Sequence, residues 1–164
     1  MIFGRHLLAI KPIYKQAMNN STPLAEGMAL LQWIPQRAPM VLIDKVWSAD
    51  STQATTSLLV REDTIFCEDG YLQAPALAEN IAQTAAAQSG FLAQQQGIET
   101  PVGFIGAMKN LVITALPAVG EELQTQITVE NSILNFTLIK GVSKVGDRLM
   151  AEVEMKIFIA ETNT

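Results

Sequence analysis

Glu79 is the side chain of this sequence that is best placed for chemistry. It lies early in a segment, residues 75–95, whose other residues are mostly apolar or alanine. A carboxylate in such surroundings is costly unless a cleft or polar partners receive it. Asn80 and Gln83 place two amide groups within about one helical turn of it. Glu79 is therefore a candidate general acid or base, or else a carboxylate that a helix N-terminus stabilises.

The scarcity of other reactive side chains narrows the chemistry. Cys67 is the only cysteine and His6 the only histidine. One chain therefore cannot build a disulfide framework or a zinc site of paired histidines or cysteines. A Ser-His-Asp triad is also excluded from the core, because the one histidine is expected in a tail. We expect no metal and no cofactor, and we expect Cys67 to be a structural thiol. The single cysteine fits a reducing compartment, the cytoplasm.

Composition predicts one folded domain. The chain has 164 residues, of which 49% are hydrophobic and 16% charged, with a net charge of −5. An acidic chain of this kind lacks the excess of positive charge that binds nucleic acid. No apolar run is long enough to cross a membrane. Sparse charge favours a surface that another subunit covers. We predict an N-terminal tail or helix over residues 1–23 and a single domain over residues 24–164.

The elements that would position Glu79 follow from periodicity and turn residues. A short helix is predicted over residues 24–33, a proline-bracketed turn over 35–39, and one long alanine-rich helix over about 75–95 that ends near Gly97. Such a thin helix suits close wrapping by a sheet. Strands are predicted at residues 40–47, 55–60, 102–114, 121–129, 136–142 and 149–159. Consecutive strands with short turns indicate a mostly antiparallel sheet and the α+β class.

Two segments carry a resemblance to a known family. Residues 34–46, Ile-Pro-Gln-Arg-Ala-Pro-Met-Val-Leu-Ile-Asp-Lys-Val, resemble the Leu-Pro-His-Arg-Tyr-Pro-Phe-Leu-Leu-Val-Asp-Arg-Val segment of FabZ-type 3-hydroxyacyl-acyl carrier protein dehydratases. Residues 79–83, Glu-Asn-Ile-Ala-Gln, resemble the Glu-Ala-Met-Ala-Gln of their central helix. The resemblance covers about residues 31–159 and implies the hotdog fold, a long curved antiparallel sheet around one central helix.

A closer likeness is to the FabZ-like proteins of aryl-polyene and flexirubin pigment pathways. Their pattern Asp-Gly-x-Leu-x-Ala followed by Glu is similar to the residues from Asp69 and Gly70 through Leu72 and Ala74 to Glu79, although four residues rather than five precede the glutamate. Residues 103–107 are similar to the Gly-Phe-Leu-Leu-Gly of the same proteins. The resemblance implies a role in pigment or fatty acid biosynthesis.

The resemblance also implies roles for individual residues. The family's base is taken as the histidine of the Pro-His-Arg segment, and Gln36 stands at that position, where an amide cannot accept a proton at neutral pH. Glu79 is expected in a cleft at a subunit boundary, next to Gln36 of the other chain, where it would deliver a proton to the leaving hydroxyl. The catalytic candidates are Glu79 and Gln36, and the substrate-binding candidates are Leu77, Asn80, Gln83, Gly103, Phe104 and Gly106.

Three functions remain open at this point. The first is a 3-hydroxyacyl thioester dehydratase in which Glu79 is the acid or base. The second is a hotdog thioesterase that uses a helix carboxylate and helix-terminal amides. The third is a non-catalytic partner that binds acyl thioesters beside a true dehydratase. In each case we expect an acyl thioester of acyl carrier protein or coenzyme A as ligand, and a homodimer or a heterodimer with a related dehydratase.

Overall fold

The computed structural model describes residues 22–160. The predicted tail, residues 1–23, lies outside this range except for Thr22 and Pro23, and so does His6. Within the described residues seven strands form one antiparallel sheet in the order β1-β2-β3-β7-β8-β9-β6, and β4-β5 is a separate hairpin. The strands are β1 (Ala25–Glu26), β2 (Lys45–Ala49), β3 (Gln53–Leu59), β4 (Cys67–Glu68), β5 (Tyr71–Leu72), β6 (Gly103–Ile113), β7 (Glu122–Ile133), β8 (Phe136–Val145) and β9 (Arg148–Ile159), and the α-helix is α1 (Ala74–Gln96).

The ends of α1 follow from its sequence. Pro75 occupies one of the first helical positions, where its missing N–H costs no hydrogen bond. At the other end Gly97 has a φ of 67°, and the N–H groups of Gly97 and Ile98 donate to the carbonyls of Gln94 and Ala93 at 3.1 and 3.0 Å. The prediction of a helix over residues 75–95 is confirmed to within a residue at each end. No helix among residues 22–160 is long and apolar enough to span a membrane.

The sheet packs around α1 on several sides. The helix contacts β2, β3, β6, β7, β8 and β9. Leu77 and Ile81 are fully buried in the main core, where they meet Leu123 and Ile127 of β7. A second cluster around Trp33 and Ile34 packs against Ala87. The predicted α+β class, with an antiparallel sheet around one central helix, is confirmed.

Two predicted elements differ from the structure, each for a local reason. The strand predicted over residues 40–47 begins only at Lys45, because side chains of α1, rather than a neighbouring strand, bind the backbone of Met40 and Leu42. The helix predicted over residues 24–33 is a two-residue strand, β1, followed by a 3-10 helix, Gly27–Gln32. The start of this segment is a strand because Ala25 pairs with Val46 in an antiparallel ladder.

Strand β6 forms one edge of the sheet and is exposed along almost its whole length. Within residues 22–160 it pairs with β9 alone, and the register shifts between Ile105 and Ala107 and again between Lys109 and Val112. Phe104 is 60% exposed and Met108 49% exposed. An exposed edge that carries large apolar side chains invites pairing with another chain.

Candidate active site

Gln83 ties the segment before β2 to the helix. Its side chain is fully buried, its Oε1 accepts from the Leu42 N–H at 2.7 Å, and its Nε2 donates to the Met40 carbonyl at 2.7 Å. These two bonds fix which end of the amide is oxygen and which is nitrogen. Nε2 also donates to Glu79 Oε1 at 2.8 Å. Gln83 therefore holds the Glu79 carboxylate against the turn that precedes β2.

Asn80 makes a second clamp, deeper in the core. Its Nδ2 donates to the Leu42 carbonyl at 2.7 Å, and its Oδ1 accepts from Thr125 Oγ1 at 2.5 Å. Thr125 Oγ1 in turn lies 2.8 Å from Ser143 Oγ. All three side chains are buried, so each would cost free energy without these partners. The side chain of Asn80 therefore joins α1 to β7 and to the segment before β2.

Gln36 contacts the same carboxylate oxygen of Glu79 as Gln83 does, within the same chain. Gln36 Nε2 donates to Glu79 Oε1 at 3.4 Å, a long contact. Because a carboxylate accepts hydrogen bonds, the amide nitrogen faces it and Gln36 Oε1 points away. That oxygen is buried and has no hydrogen-bond partner among the described residues. The sequence had predicted a contact between chains, whereas the structure makes it within one chain.

The turn that carries Gln36 is held by its own arginine. Arg37 Nη1 donates to the carbonyls of Ile34 and Gln36, each at 2.8 Å. Ile34 is buried in the second core cluster, so the turn is anchored at that end by packing. These contacts keep the Gln36 side chain directed at the helix.

Glu79 and Gln36 open onto a cavity of about 270 Å³ between α1 and the β6 edge of the sheet. The helix contributes small side chains at a spacing that places them on one face, and β6 and β9 supply the opposite wall. Among the described residues that line the cavity, Glu79 is the only ionisable side chain. The lining residues are Pro35, Gln36, Glu79, Ala82, Ala85, Ala86, Ser89, Pro101, Gly103, Phe104, Ile105, Ile157 and Ile159.

The structure gathers some of the predicted site residues and separates others. Gly103 and Phe104 line the cavity, and Gln83 touches Glu79. Leu77 is fully buried in the main core, and Asn80 is buried against the sheet, so neither side chain lines the cavity. Gly106 lies at a register shift of β6, where a Cβ would come within 2.3 Å of the Phe158 ring. Gly106 is not among the residues that line the cavity, and its lack of a side chain leaves room for the Phe158 ring at this bulge.

Ser89, Ile157 and Ile159 are cavity residues that sequence reasoning missed. The signal on the helix was present, because Ala82, Ala86 and Ser89 are small residues at helical spacing from Glu79. The two isoleucines belong to the last strand, whose alternation predicts an inward face but not which cavity it meets. Their place follows from the pairing of β9 with β6.

Cys67 lies in β4 and is half-buried. Burial raises the pKa of its thiol, and the nearby carboxylate of Asp63 raises it further. A thiol with a raised pKa holds little of the nucleophilic thiolate at neutral pH. Within residues 22–160 no three acidic, histidine or cysteine side chains converge as a metal site.

Comparisons with known proteins place the chain in a family. A family model described as ApeP dehydratase, of the ApeP-like group, matches residues 28–163. The 3-hydroxyacyl-[acyl-carrier-protein] dehydratase FabZ of Caulobacter vibrioides is 24% identical over 153 residues, which cover 90% of this chain and 94% of that protein.

Solved structures share the fold at lower identity. The dehydratase heterocomplex ApeI:P from Xenorhabdus doucetiae matches with a TM-score of 0.75 and 16% identity over 87% of this chain and 94% of the other. A hypothetical thioesterase with coenzyme A from Streptococcus pneumoniae matches with a TM-score of 0.59 and 8% identity over 73% and 87%. The predicted hotdog fold and the resemblance to FabZ-like dehydratases are confirmed, and the chain belongs to the ApeP-like dehydratase family.

Proposed function

We propose that this chain is the carboxylate-bearing subunit of a 3-hydroxyacyl thioester dehydratase whose base comes from a second hotdog chain. The observation that carries the proposal is the cavity wall, where Glu79 is the only ionisable side chain among the residues that the structure describes. Removal of water from a 3-hydroxyacyl thioester needs a base for the α-proton and an acid for the leaving hydroxyl. The described residues supply one of these two groups.

Glu79 suits the role of the acid. The base takes the proton from C2, the C3–oxygen bond breaks, and a double bond forms between C2 and C3. The Glu79 carboxyl group gives its proton to the departing oxygen, which leaves as water, and the proton taken by the base later restores the acid. The hydrogen bond from Gln83 orients the carboxyl group for this transfer.

Gln36 supplies a recognition group for the substrate in this proposal. Its Nε2 faces Glu79 across a long contact of 3.4 Å and would donate instead to the 3-hydroxyl oxygen of the substrate. The hydroxyl would then lie between Gln36 and Glu79, next to the group that protonates it. The amide needs to accept no proton in this role, so its replacement of a histidine does not disable it.

The edge strand is the place where the second chain would complete the site. Residues 103–105 of β6 belong to the cavity wall, and Phe104 and Met108 are exposed apolar side chains on the same strand. A partner that pairs with β6 would cover this apolar surface and close the cavity. Gln36 stands where the resemblance places the base, so a copy of this chain would bring a second Gln36, which cannot accept a proton at neutral pH. This favours a related, histidine-bearing hotdog protein over a homodimer.

Two similar proteins support a choice of carrier for the acyl group. The FabZ protein is named for the acyl carrier protein, and the ApeI:P structure is a dehydratase heterocomplex. We propose a 3-hydroxyacyl thioester of an acyl carrier protein, with coenzyme A as the alternative carrier. Synthesis of fatty acids or polyene pigments in the cytoplasm would supply such substrates.

The test compares the chain alone with the chain co-expressed with the histidine-bearing hotdog protein encoded nearest to it. Each preparation is incubated with 3-hydroxyacyl and 2-enoyl thioesters of both carriers, and the products are read by mass spectrometry. We expect loss and addition of water only with the two-chain complex. Equal turnover by the chain alone would contradict the shared site, and release of free acid would indicate the thioesterase function. Binding of thioesters without turnover in either preparation would favour the non-catalytic partner.

A further inference from the structure

An open groove of about 1010 Å³ lies where the loop after α1 meets the tip of the β7–β8 hairpin and the end of β9. Leu134 at the hairpin tip is 98% exposed, and Ile98 in the loop is 59% exposed. Pro101 and Ile159 line both this groove and the cavity of the candidate active site. An exposed apolar surface of this kind marks an interaction site, and here it lies directly beside the cavity.

Four segments form the end of the molecule that carries the groove, namely residues 47–53, 92–103, 128–137 and 157–160. Backbone hydrogen bonds join them, from the N–H of Val129 to the carbonyl of Thr52, from Ile159 to Asn135 and from Ala160 to Val102. These segments therefore make one continuous surface.

This surface carries negative charge, and we call it the acidic end. Its ionisable side chains are Asp50, Glu99 and Glu130, and none of its residues is basic. Lys156 lies just outside it, with Nζ stacked 4.1 Å from the centre of the Phe136 ring. An apolar groove in an acidic surface favours a partner that is both apolar and basic.

Residues 1–21 have that composition. They contain Arg5, Lys11 and Lys15 and no acidic residue. Their aliphatic and aromatic side chains include Ile2, Phe3, Leu7, Leu8, Ile10 and Ile13. The segment therefore complements the acidic end both in charge and in apolar character.

Strand pairing brings the chain into the sheet from the acidic end. β1 is antiparallel to β2, with Ala25 opposite Val46 and Glu26 opposite Lys45. Residues before Ala25 therefore lie toward the end of β2, and the Leu24 N–H donates to the Val46 carbonyl at 2.8 Å. β2 ends at Ala49, within the acidic end. The segment that precedes Thr22 thus starts from the same end of the molecule as the groove.

The distance to the groove is short for a segment of this length. Four strand spacings separate β1 from β8 in the sheet, about 19 Å at about 4.8 Å each. An extended residue spans up to about 3.5 Å, so about six residues bridge this distance. Lys15 and the residues before it can therefore reach the groove.

We propose that residues 1–21 dock in the groove of their own chain. Their apolar side chains cover Ile98 and Leu134, and their three cations face the carboxylates of the acidic end. Burial of apolar surface supplies the affinity, and the charges set the orientation. Because Pro101 and Ile159 line both spaces, the docked segment also covers one side of the cavity.

The test places a photoreactive side chain at the hairpin tip of the full chain, isolated with its partner where one co-purifies. Leu134→benzoylphenylalanine is illuminated in an equal mixture of isotope-labelled and unlabelled chains, and the crosslinked peptides are identified by mass spectrometry. We expect crosslinks from position 134 to residues 1–15, and no crosslinked pair of mixed isotopes. Ile98→benzoylphenylalanine is a second probe of the same groove if the first variant does not fold.

A matched control probes the opposite end of the sheet. Leu59 is 40% exposed and lies at the far end of β3 from the acidic end. Leu59→benzoylphenylalanine should give no crosslink to residues 1–21. Crosslinks from position 134 only to a second copy or to the partner protein would overturn docking within one chain. Absence of any crosslink to residues 1–21 from both groove positions would overturn it as well.

Charge reversal tests the role of the acidic end. In the Leu134→benzoylphenylalanine chain, Lys11→Glu with Lys15→Glu should lower the crosslink yield several-fold, since each exposed ion pair contributes up to about fivefold to the docked population. Adding Glu99→Lys with Glu130→Lys should restore the yield. A yield that the first reversal leaves unchanged, or that the second fails to restore, would contradict the proposed pairing of this segment with the acidic end.

Discussion

The two faces of α1 differ in what they contact. On one face Asn80, Thr84 and Gln88 follow one another at helical spacing, each hydrogen-bonded to a different part of the sheet or a loop. On the opposite face Ala82, Ala85, Ala86 and Ser89 line an open cavity. Glu79 lies where the two faces meet, held by Gln83 from the polar face and open to the cavity on the other.

This contrast separates two requirements that one helix must satisfy. The polar face fixes the position of the helix in the sheet, because buried amides tolerate only the geometry that satisfies them. The small residues of the other face leave room for a ligand without disturbing that position. A carboxylate at this border gains rigidity from one face and access to the cavity from the other.

The largest effect on stability is expected on the polar face. Asn80→Leu would remove a donor from the Leu42 carbonyl and an acceptor from the Thr125 hydroxyl, both buried. Each lost partner costs about 1–3 kcal/mol, so the free energy of unfolding should fall by about 4 kcal/mol in urea denaturation. Ala86→Ser, on the cavity face, is the control and should cost less than about 1 kcal/mol. Equal losses for the two variants would remove the distinction between the faces.

A smaller loss is expected where the helix touches the second core cluster. A Cβ at Gly90 would lie 2.2 Å from the Trp33 carbonyl oxygen, a backbone atom that cannot rotate away. Gly90→Ala should therefore lower the free energy of unfolding by about 3 kcal/mol, although alanine is the better helix former. Ser89→Ala, one residue earlier and facing the cavity, should change it by less than about 0.5 kcal/mol. A Gly90→Ala protein as stable as the wild type would contradict the close contact between Gly90 and the Trp33 backbone.

The next effect concerns the polar groups at the border. Gln36→Met keeps a similar shape but removes both the donor to Glu79 and a buried acceptor that has no partner among the described residues. In the active two-chain complex, kcat/KM for a 3-hydroxyacyl thioester should fall by about 30-fold, while stability is unchanged or slightly increased. Gln95→Met is the control outside the cavity. A fall in stability with no fall in kcat/KM would make Gln36 a structural residue only.

The smallest effect is expected at Cys67. Since burial and Asp63 raise the pKa of its thiol, the thiolate forms only at higher pH than for an ordinary cysteine. Alkylation by iodoacetamide at neutral pH should therefore be slower than for free cysteine and should accelerate as the pH rises toward the raised pKa. Cys67→Ser should leave turnover within about a factor of two. Rapid alkylation that abolishes activity would place the thiol in the working site.

Much of this arrangement can be predicted from the sequence, and the rest depends on contacts between residues far apart in the chain. The alternation of the late strands and the proline and glycine at the ends of α1 predict the sheet and the helix, because these signals are local. Glu79 stands out because it is a lone carboxylate among apolar residues. Its meeting with Gln36 within one chain could not be predicted, since 43 positions separate the two residues and only the folded turn brings them together.

The roles of the amides and glycines show the same limit. The sequence does not show whether the Asn80 and Gln83 side chains bind a ligand or the protein's own backbone. Their hydrogen bonds to the segment before β2 show that they bind the backbone. Gly106 is a substrate-binding candidate by resemblance, yet it lies at a register shift of β6 against the Phe158 ring, a contact that the sequence does not reveal. A spacing rule identifies residues on one face but not what lies opposite that face.

The most direct test of the account is the effect of Glu79→Gln on a single turnover of the two-chain complex. The amide keeps the shape and the cavity but cannot give a proton to the leaving hydroxyl. The rate of water loss from a bound 3-hydroxyacyl thioester should fall by about 10²–10⁴-fold, with thioester affinity within about tenfold of the wild type. A Glu79→Gln complex that dehydrates its substrate within about tenfold of the wild-type rate would contradict the assignment of Glu79 as the acid.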